Sequence, residues 1–314
     1  MKLSIIIPCK NEEGNLTKLH EKLTKVLGDL KYELLFIDDG STDNTIKELH
    51  NLYEKDIQHV KAISFSRNFK KEAAMLAGLE HASGEYTCII DADLQQNPKY
   101  ILEMYDFLEN NKEFDEVAMV MSNRQLESKF MKFCKDCFYK YMSKLSDIEL
   151  ENAASDFRMF RKQVKDAILS LTEKNRFSKG IFSWIGFNIK YLPYEVEPRQ
   201  QGTTSFGFKE SLRYALSGIY AFSYKPLKIS TTLGVISLIG SFVYLLITLI
   251  RIIWFSLQFN AVHLLTIFVL TLFGIQFLLM GIIGNYLACI NTEVKNRPVY
   301  IVKEKMGFNR ETIL

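Results

Sequence analysis

YTCIIDADLQQNP, residues 86–98, is the stretch on which the reading of this chain turns. An apolar run rich in β-branched residues stops abruptly at two carboxylates, Asp91 and Asp93. Side chains alternate along a strand, so positions i and i+2 share one side and can reach a common point where the strand frays. The carboxamide of Gln95 continues that spacing. Oxygen ligands with room for water suit a hard divalent cation, Mg²⁺ or Mn²⁺, whose usual company is a diphosphate. The plainer alternative is a strand end capped by acids.

Working outward, Leu3–Ile7 is a continuous apolar run ended by Pro8, the pattern of a strand buried on both faces. Tyr32–Ile37 repeats it and also ends in acids, Asp38 and Asp39. Val60–Ser64, Glu85–Ile90 and Val117–Met121 give three more strands. Helical periodicity fills the gaps, from Gly14 to Leu27, from Ser41 through Tyr53, from Glu72 to His81 and from Asn97 to Leu108. Strand alternating with helix predicts an α/β domain with a doubly wound, mostly parallel sheet. Its ligand belongs at the carboxyl ends of the strands, where the polar residues fall. The first turn lacks G-x-G-x-x-G and no G-x-x-x-x-G-K-[ST] occurs, which argues against a dinucleotide site and a P-loop.

Composition bounds the rest. A net charge of +3 over 314 residues is too mild to argue for nucleic acid as a partner. The cysteines, Cys9, Cys88, Cys134, Cys137 and Cys289, are odd in number and scattered, so a disulfide framework is not indicated. Cys134 and Cys137 lack the second pair that a zinc site needs. The five histidines are dispersed, without a nucleophilic partner.

Four segments in order carry a resemblance: IIIPCKNE (5–12), IDDGSTD (37–43), SRNF (66–69) and DADLQ (91–95). With them the chain resembles the family-two glycosyltransferases of the GT-A fold, in particular the polyprenyl-phosphate branch of dolichol-phosphate mannose synthase and the bactoprenol glucosyltransferases. The resemblance implies that Pro8, Lys10, Glu12, Ile37, Asp39, Arg67 and Ala92 line the nucleotide-sugar site. It implies that Asp91, Asp93 and Gln95 hold the metal and diphosphate. Arg124, Asp156-Phe157-Arg158 and Arg199 through Thr204 match downstream segments of the family, and a homo-oligomer is compatible with it. Two departures stand out: Lys70, where many relatives carry Gly, and Ser205, where many carry Lys.

The implied reaction is inverting transfer of one sugar from a nucleotide-diphosphate sugar, UDP-linked by analogy, to polyprenyl phosphate, supplying a lipid-linked sugar for the cell envelope. Asp93, Asp156 and Arg199 are the candidate catalytic residues, and Arg124, Arg176 and Arg199 the cations for the acceptor phosphate. Asp156 reads equally as an N-cap for a helix over Phe157–Leu169, and Trp184 reads as core. A transferase of the same fold acting on a polysaccharide or lipid hydroxyl is the alternative; a membrane-anchored scaffold is another.

Hydropathy divides the chain into a catalytic domain (1–205), an interfacial segment (206–228), two membrane spans (229–290) and a tail (291–314). Ile229–Ile250 and Val262–Ala288 contain no Asp, Glu, Lys or Arg, enough for a hairpin across a bilayer. Cations flank both outer ends, Lys209, Arg213, Lys225 and Lys228 before and Lys295, Arg297, Lys303 and Lys305 after. That predicts a multi-pass protein of the plasma membrane with catalytic domain and both termini cytoplasmic. The basic, aromatic segment Ser128–Leu145 reads as a helix lying on a membrane surface or packed in the core.

Overall fold

The computed structural model describes residues 1–122, 154–197 and 261–308, with Val243, Leu246 and Ile250. Four βα units come first: β1 (Leu3–Cys9) and α1 (Leu16–Leu27), β2 (Tyr32–Asp38) and α2 (Thr45–Lys55), β3 (Val60–Phe65) and α3 (Lys71–His81), β4 (Tyr86–Ile89) and α4 (Lys99–Asn110). Then follow β5 (Glu116–Met121), β6 (Ala154–Arg161), α5 (Lys162–Ser170), α6 (Ser178–Trp184), β7 (Ile189–Tyr194), α7 (Ala261–Val294) and β8 (Val302–Met306). The strands form one sheet in the order β7-β5-β6-β4-β1-β2-β3-β8. Pairs β1/β2, β1/β4, β2/β3 and β5/β7 are parallel, whereas β6 runs against β4 and β5, and β8 against β3. The expected α/β, mostly parallel sheet is therefore present.

The apolar strands are continuous because both faces are covered. Ile5, Ile7, Leu34 and Phe36 pack with Leu16, Leu19, Leu49, Ile101 and Met104 of α1, α2 and α4. Ile6, Leu35, Ile37 and Ile63 face the other way, onto Ala73, Ala74 and Ala77 of α3 and Val164, Ile168 and Ile181 of α5 and α6. The small residues of α3 let it lie close to the sheet; a Cβ at Gly78 would collide with the side chain of Ile6. Close approach of α3 brings its first residues, Lys71 and Glu72, against the carboxyl end of β4.

Two local readings are corrected. Asp156 does not cap a helix over Phe157–Leu169; it lies in β6, and α5 starts only at Lys162. The reason is a period of two: Phe157 and Met159 enter one core while Phe160 enters the other. Arg158 is buried too, its Nη1 2.6 Å from Glu116 Oε1. Trp184, expected in the core, is 59% exposed at the end of α6.

Among the described residues no helix is long and apolar enough to cross a membrane. That finding overturns the expected multi-pass placement in the plasma membrane. Of the first expected span only Val243, Leu246 and Ile250 are described. The second falls in α7, whose side chains are described without interruption only over 279–294. That stretch carries Asn285, Asn291, Thr292 and Glu293. The segments 128–145 and 206–228 lie outside the described residues. Past α7 the chain returns to the sheet: β8 pairs with β3, and Tyr300 stacks on Phe65 with centroids 4.8 Å apart.

Candidate active site

The carboxyl ends of β1, β2 and β4 lie side by side, and the loops leaving them are stitched together by their own polar groups. After β1, Asn11 turns with φ 54° and its amide N–H donates to Ser41 Oγ at 2.8 Å. Thr42 N–H returns a bond to Asn11 Oδ1 at 2.8 Å, and Glu12 N–H donates to Thr45 Oγ1 at 2.9 Å. Glu12 Oε2 accepts from Asn15 Nδ2 at 2.7 Å. Pro8 and Ile37 are register partners across β1 and β2, and Lys10 is exposed just beyond. These residues of the expected nucleotide site are thus neighbours.

Asp39 ties this loop pair to the next. Its carboxylate accepts from the amide N–H of Phe69 at 2.5 Å and of Lys70 at 2.9 Å. Burial pushes its carboxyl above the ordinary range, with the two amides and Lys10 opposing. Lys70 is held at φ 78°, ψ 165°, a region that essentially only glycine occupies without strain. A glycine at this position would adopt that conformation without strain. Gly40, at φ 64°, sits where a Cβ would strike the backbone of Arg67. The Arg67 guanidinium is exposed and lies 4.1 Å from the Phe69 ring centroid.

At β4 the acids face a different neighbourhood. Asp91, Asp93, Gln95, Gln96, Asp156 and Lys179 line one cavity of about 180 Å³, with Met121, Ser155, Tyr194 and Val196 completing its wall. Ala92 is buried between the two acids, and Leu94 turns the chain at φ 63°. Gln95 N–H donates to Asp93 Oδ1 at 3.2 Å. Gln96 clamps Asp91 at two points: its Oε1 accepts the Asp91 N–H at 2.9 Å, and its Nε2 donates to Asp91 Oδ2 at 3.0 Å. Asp156 arrives from β6, antiparallel beside β4.

Lys71, at the start of α3, bridges the two strands. Its Nζ lies 2.6 Å from Asp91 Oδ1 and 2.9 Å from Asp156 Oδ2. Desolvation disfavours the Lys71 cation, but the Asp156 and Asp91 carboxylates prevail and hold its pKa above the ordinary lysine value. Burial pushes Asp91 above the usual carboxylate range, Lys71 opposing and Asp156 and Asp93 adding to the rise. Burial acts in the same direction on Asp156, yet Lys71 and Lys179 outweigh it and keep that carboxyl well below the usual range. The next residue, Glu72, accepts the Ser178 N–H at 3.2 Å and also its hydroxyl. This contact docks α6 and delivers Lys179 to the cavity.

Lys71, Gln96 and Lys179 escaped the sequence reading because nothing local separates Lys71 from Lys70 or Gln96 from Gln95. Arg176, expected at the acceptor phosphate, is instead turned to backbone: it donates to the carbonyls of Leu171 at 2.9 Å and Ile168 at 3.3 Å. Arg124 and Arg199 lie outside the described residues. The chain ahead of each does reach the site, Met121 in the cavity wall and Glu197 through its N–H to Gln95 O at 2.9 Å.

Among the described residues no three His, Cys, Asp or Glu side chains form a metal cluster. An open set of two carboxylates and an amide nevertheless fits a hard cation that takes its remaining ligands from substrate phosphates and water. Asp156 Oδ1, buried with no hydrogen-bond partner, leaves a further oxygen unsatisfied in the same cavity wall.

Residues 4–169 match the family described as Glycosyl transferase family 2. "Uncharacterized glycosyltransferase sll0501" of Synechocystis sp. (strain ATCC 27184 / PCC 6803 / Kazusa) is 37% identical over 98% of this chain and 96% of its own length. "SfII prophage-derived bactoprenol glucosyl transferase" of Shigella flexneri is 33% identical over 97% of this chain and 98% of its own. Among solved structures, S. aureus TarS 1-349 in complex with UDP-GlcNAc aligns over 70% of this chain and 66% of that one, at 18% identity and a TM-score of 0.48. The family match covers the strand-end acids at 38–39 and 91–93 and reaches through Asp156, and the two relatives align from end to end. This chain belongs to glycosyl transferase family 2.

Proposed function

We propose that the protein transfers a single sugar from a nucleoside diphosphate sugar, UDP-linked, to a polyprenyl phosphate, with inversion at the anomeric carbon. The observation that carries this reading is the convergence of Asp91, Asp93, Gln95, Asp156 and Lys179 on one cavity at the carboxyl ends of the strands. The lipid acceptor is supported by the relative named a bactoprenol glucosyl transferase.

Pro8, Lys10, Glu12, Ile37, Asp39 and Arg67 would form the base and ribose end of the donor site, and Ala92 its floor. Asp91, Asp93 and Gln95 would hold Mg²⁺ or Mn²⁺ with the diphosphate. When bound, such a cation offsets the charge that builds on the departing diphosphate. The anomeric carbon passes through an oxocarbenium-like state, as in other reactions at that centre. A phosphate monoester loses its second proton near pH 6, so the acceptor arrives ionised and the chain need supply no strong base. Asp156, itself kept ionised by Lys71 and Lys179, therefore orients the acceptor side rather than abstracting a proton. Lys179, inside the cavity, joins Arg124 and Arg199 as a cation for the acceptor phosphate.

The test uses purified protein in detergent with Mg²⁺, undecaprenyl phosphate and a panel of labelled UDP- and GDP-sugars. Label should enter the lipid phase from one donor and be abolished by EDTA and by Asp93→Asn. Donor binding with no label in the lipid would sink the acceptor assignment and favour a hydroxyl acceptor.

A further inference from the structure

Both oxygens of Asp91 are already engaged. Oδ2 accepts from Gln96 Nε2, and Oδ1 is 2.6 Å from the Lys71 ammonium. A carboxylate oxygen can accept more than once, so the Gln96 amide can stay when Asp91 ligates a cation, whereas an ammonium 2.6 Å from Oδ1 is repelled by a dication on the same carboxylate. Gln96 is fixed at a second point by the Asp91 N–H and belongs to the same tight turn. Lys71 reaches over from α3 on a flexible four-carbon stem, and its side chain is 35% exposed. Its other contact is Asp156 Oδ2 at 2.9 Å, so the ammonium has a second carboxylate to fall back on.

We propose that Lys71 is the resident counter-cation of the donor site. It holds Asp91 and Asp156 together while no metal is bound, and a divalent cation enters only by displacing it from Asp91. The inference rests on Asp91 being a metal ligand, as in the function proposed above. It also couples metal to nucleotide. A cation arriving alone strands the ammonium beside a dication, whereas one arriving with a diphosphate brings negative charge that the displaced ammonium can meet. Lys71 is thus a positioning residue that makes the two ligands bind better together than apart, a coupling that must be reciprocal.

The experiment is a Mn²⁺ titration of the metal-free full chain, read by the paramagnetic resonance signal of free Mn²⁺, without and with UDP. Wild type should bind Mn²⁺ weakly alone and more tightly with UDP. Lys71→Met should bind Mn²⁺ alone about tenfold more tightly, a change of ~1.4 kcal/mol, and gain less from UDP. Lys71→Arg, which keeps the charge, should resemble wild type. Lys179→Met removes one positive charge from the same cavity wall but not from between the acids, and should change Mn²⁺ affinity far less. Should Lys71→Met prove unstable without metal, Lys71→Gln serves in its place, with melting curves to verify folding. Unchanged Mn²⁺ affinity in the folded Lys71 variants overturns the proposal, as does an equal gain in Lys179→Met. A wild type that binds no Mn²⁺ under either condition removes the metal reading itself, and this inference with it.

Discussion

Two strand ends that read alike turn out to be used differently. β2 ends in Asp38-Asp39 and β4 in Asp91-Ala92-Asp93, and on sequence both are acids at the mouth of a parallel sheet. At β2 the carboxylates are consumed by the protein: Asp38 accepts from Ser64 Oγ at 2.6 Å and Ser41 N–H at 3.1 Å, and Asp39 from two amides of the next loop. At β4 Asp91 and Asp93 face a cavity, and Asp91 shares the flexible-stemmed Lys71 with Asp156 of β6, one oxygen of which has no hydrogen-bond partner. Four fixed hydrogen bonds build a loop; an ammonium on a flexible stem leaves a place that a ligand can take. The partners of a carboxylate, more than its position, decide whether it can exchange one of them for a ligand.

The sharpest break of this contrast is kinetic. Asp93→Asn should lower sugar transfer by about 10²- to 10³-fold, the scale of losing a group that acts on developing charge, with the melting temperature little changed. Equal losses of stability and activity would erase the distinction. Gln96→Leu tests the Asp91 clamp one step removed. Loss of a group that orients a ligand costs about 10- to 100-fold in metal affinity or activity, and the apparent Mg²⁺ requirement should rise with it.

Asp39→Ala should weaken donor binding and also cost about 2–4 kcal/mol of stability, because two part-buried amide N–H groups lose their acceptor, as read by denaturant unfolding. The two acids should also titrate with opposite sign. Asp39 is raised by burial, so its stabilising contribution is present below its unfolded pKa and is lost as pH rises through the folded value. Asp156 is lowered, so its contribution is present above its unfolded pKa and is lost as pH falls through the folded value. Melting temperatures of Asp39→Asn and Asp156→Asn against wild type across the carboxylate range should therefore diverge in opposite directions. The smallest effect is expected at Lys70, where Lys70→Gly relieves a backbone strain of about 1–3 kcal/mol but adds unfolded-state freedom of about 0.4–1 kcal/mol. A net gain of about 1 kcal/mol in denaturant unfolding would place the strain in the loop that Asp39 holds.

Much of this was legible in the chain. The β-branched runs ending in Pro8, Asp38 and Asp91 gave the parallel strands and their ligand-binding edge, because a strand buried on both faces must be apolar throughout. Asp156 was found, but in the wrong element: a short alternating strand between other strands looks like one face of a helix when read alone. The membrane reading is overturned on the described residues, where no helix is long and apolar enough to cross a bilayer.

The sequence by itself determined the α/β order, the acids at two strand ends and the family, because periodicity and motif are properties of neighbours along the chain. Only the tertiary structure decided which acids line the cavity, that Lys71 stands between Asp91 and Asp156, that Arg176 caps backbone while Lys179 enters the cavity, and that β8 adds an edge strand beside β3. Those outcomes depend on what lies across a gap of a few ångströms between residues far apart in sequence. Hydrogen bonds and ion pairs are decided by that distance.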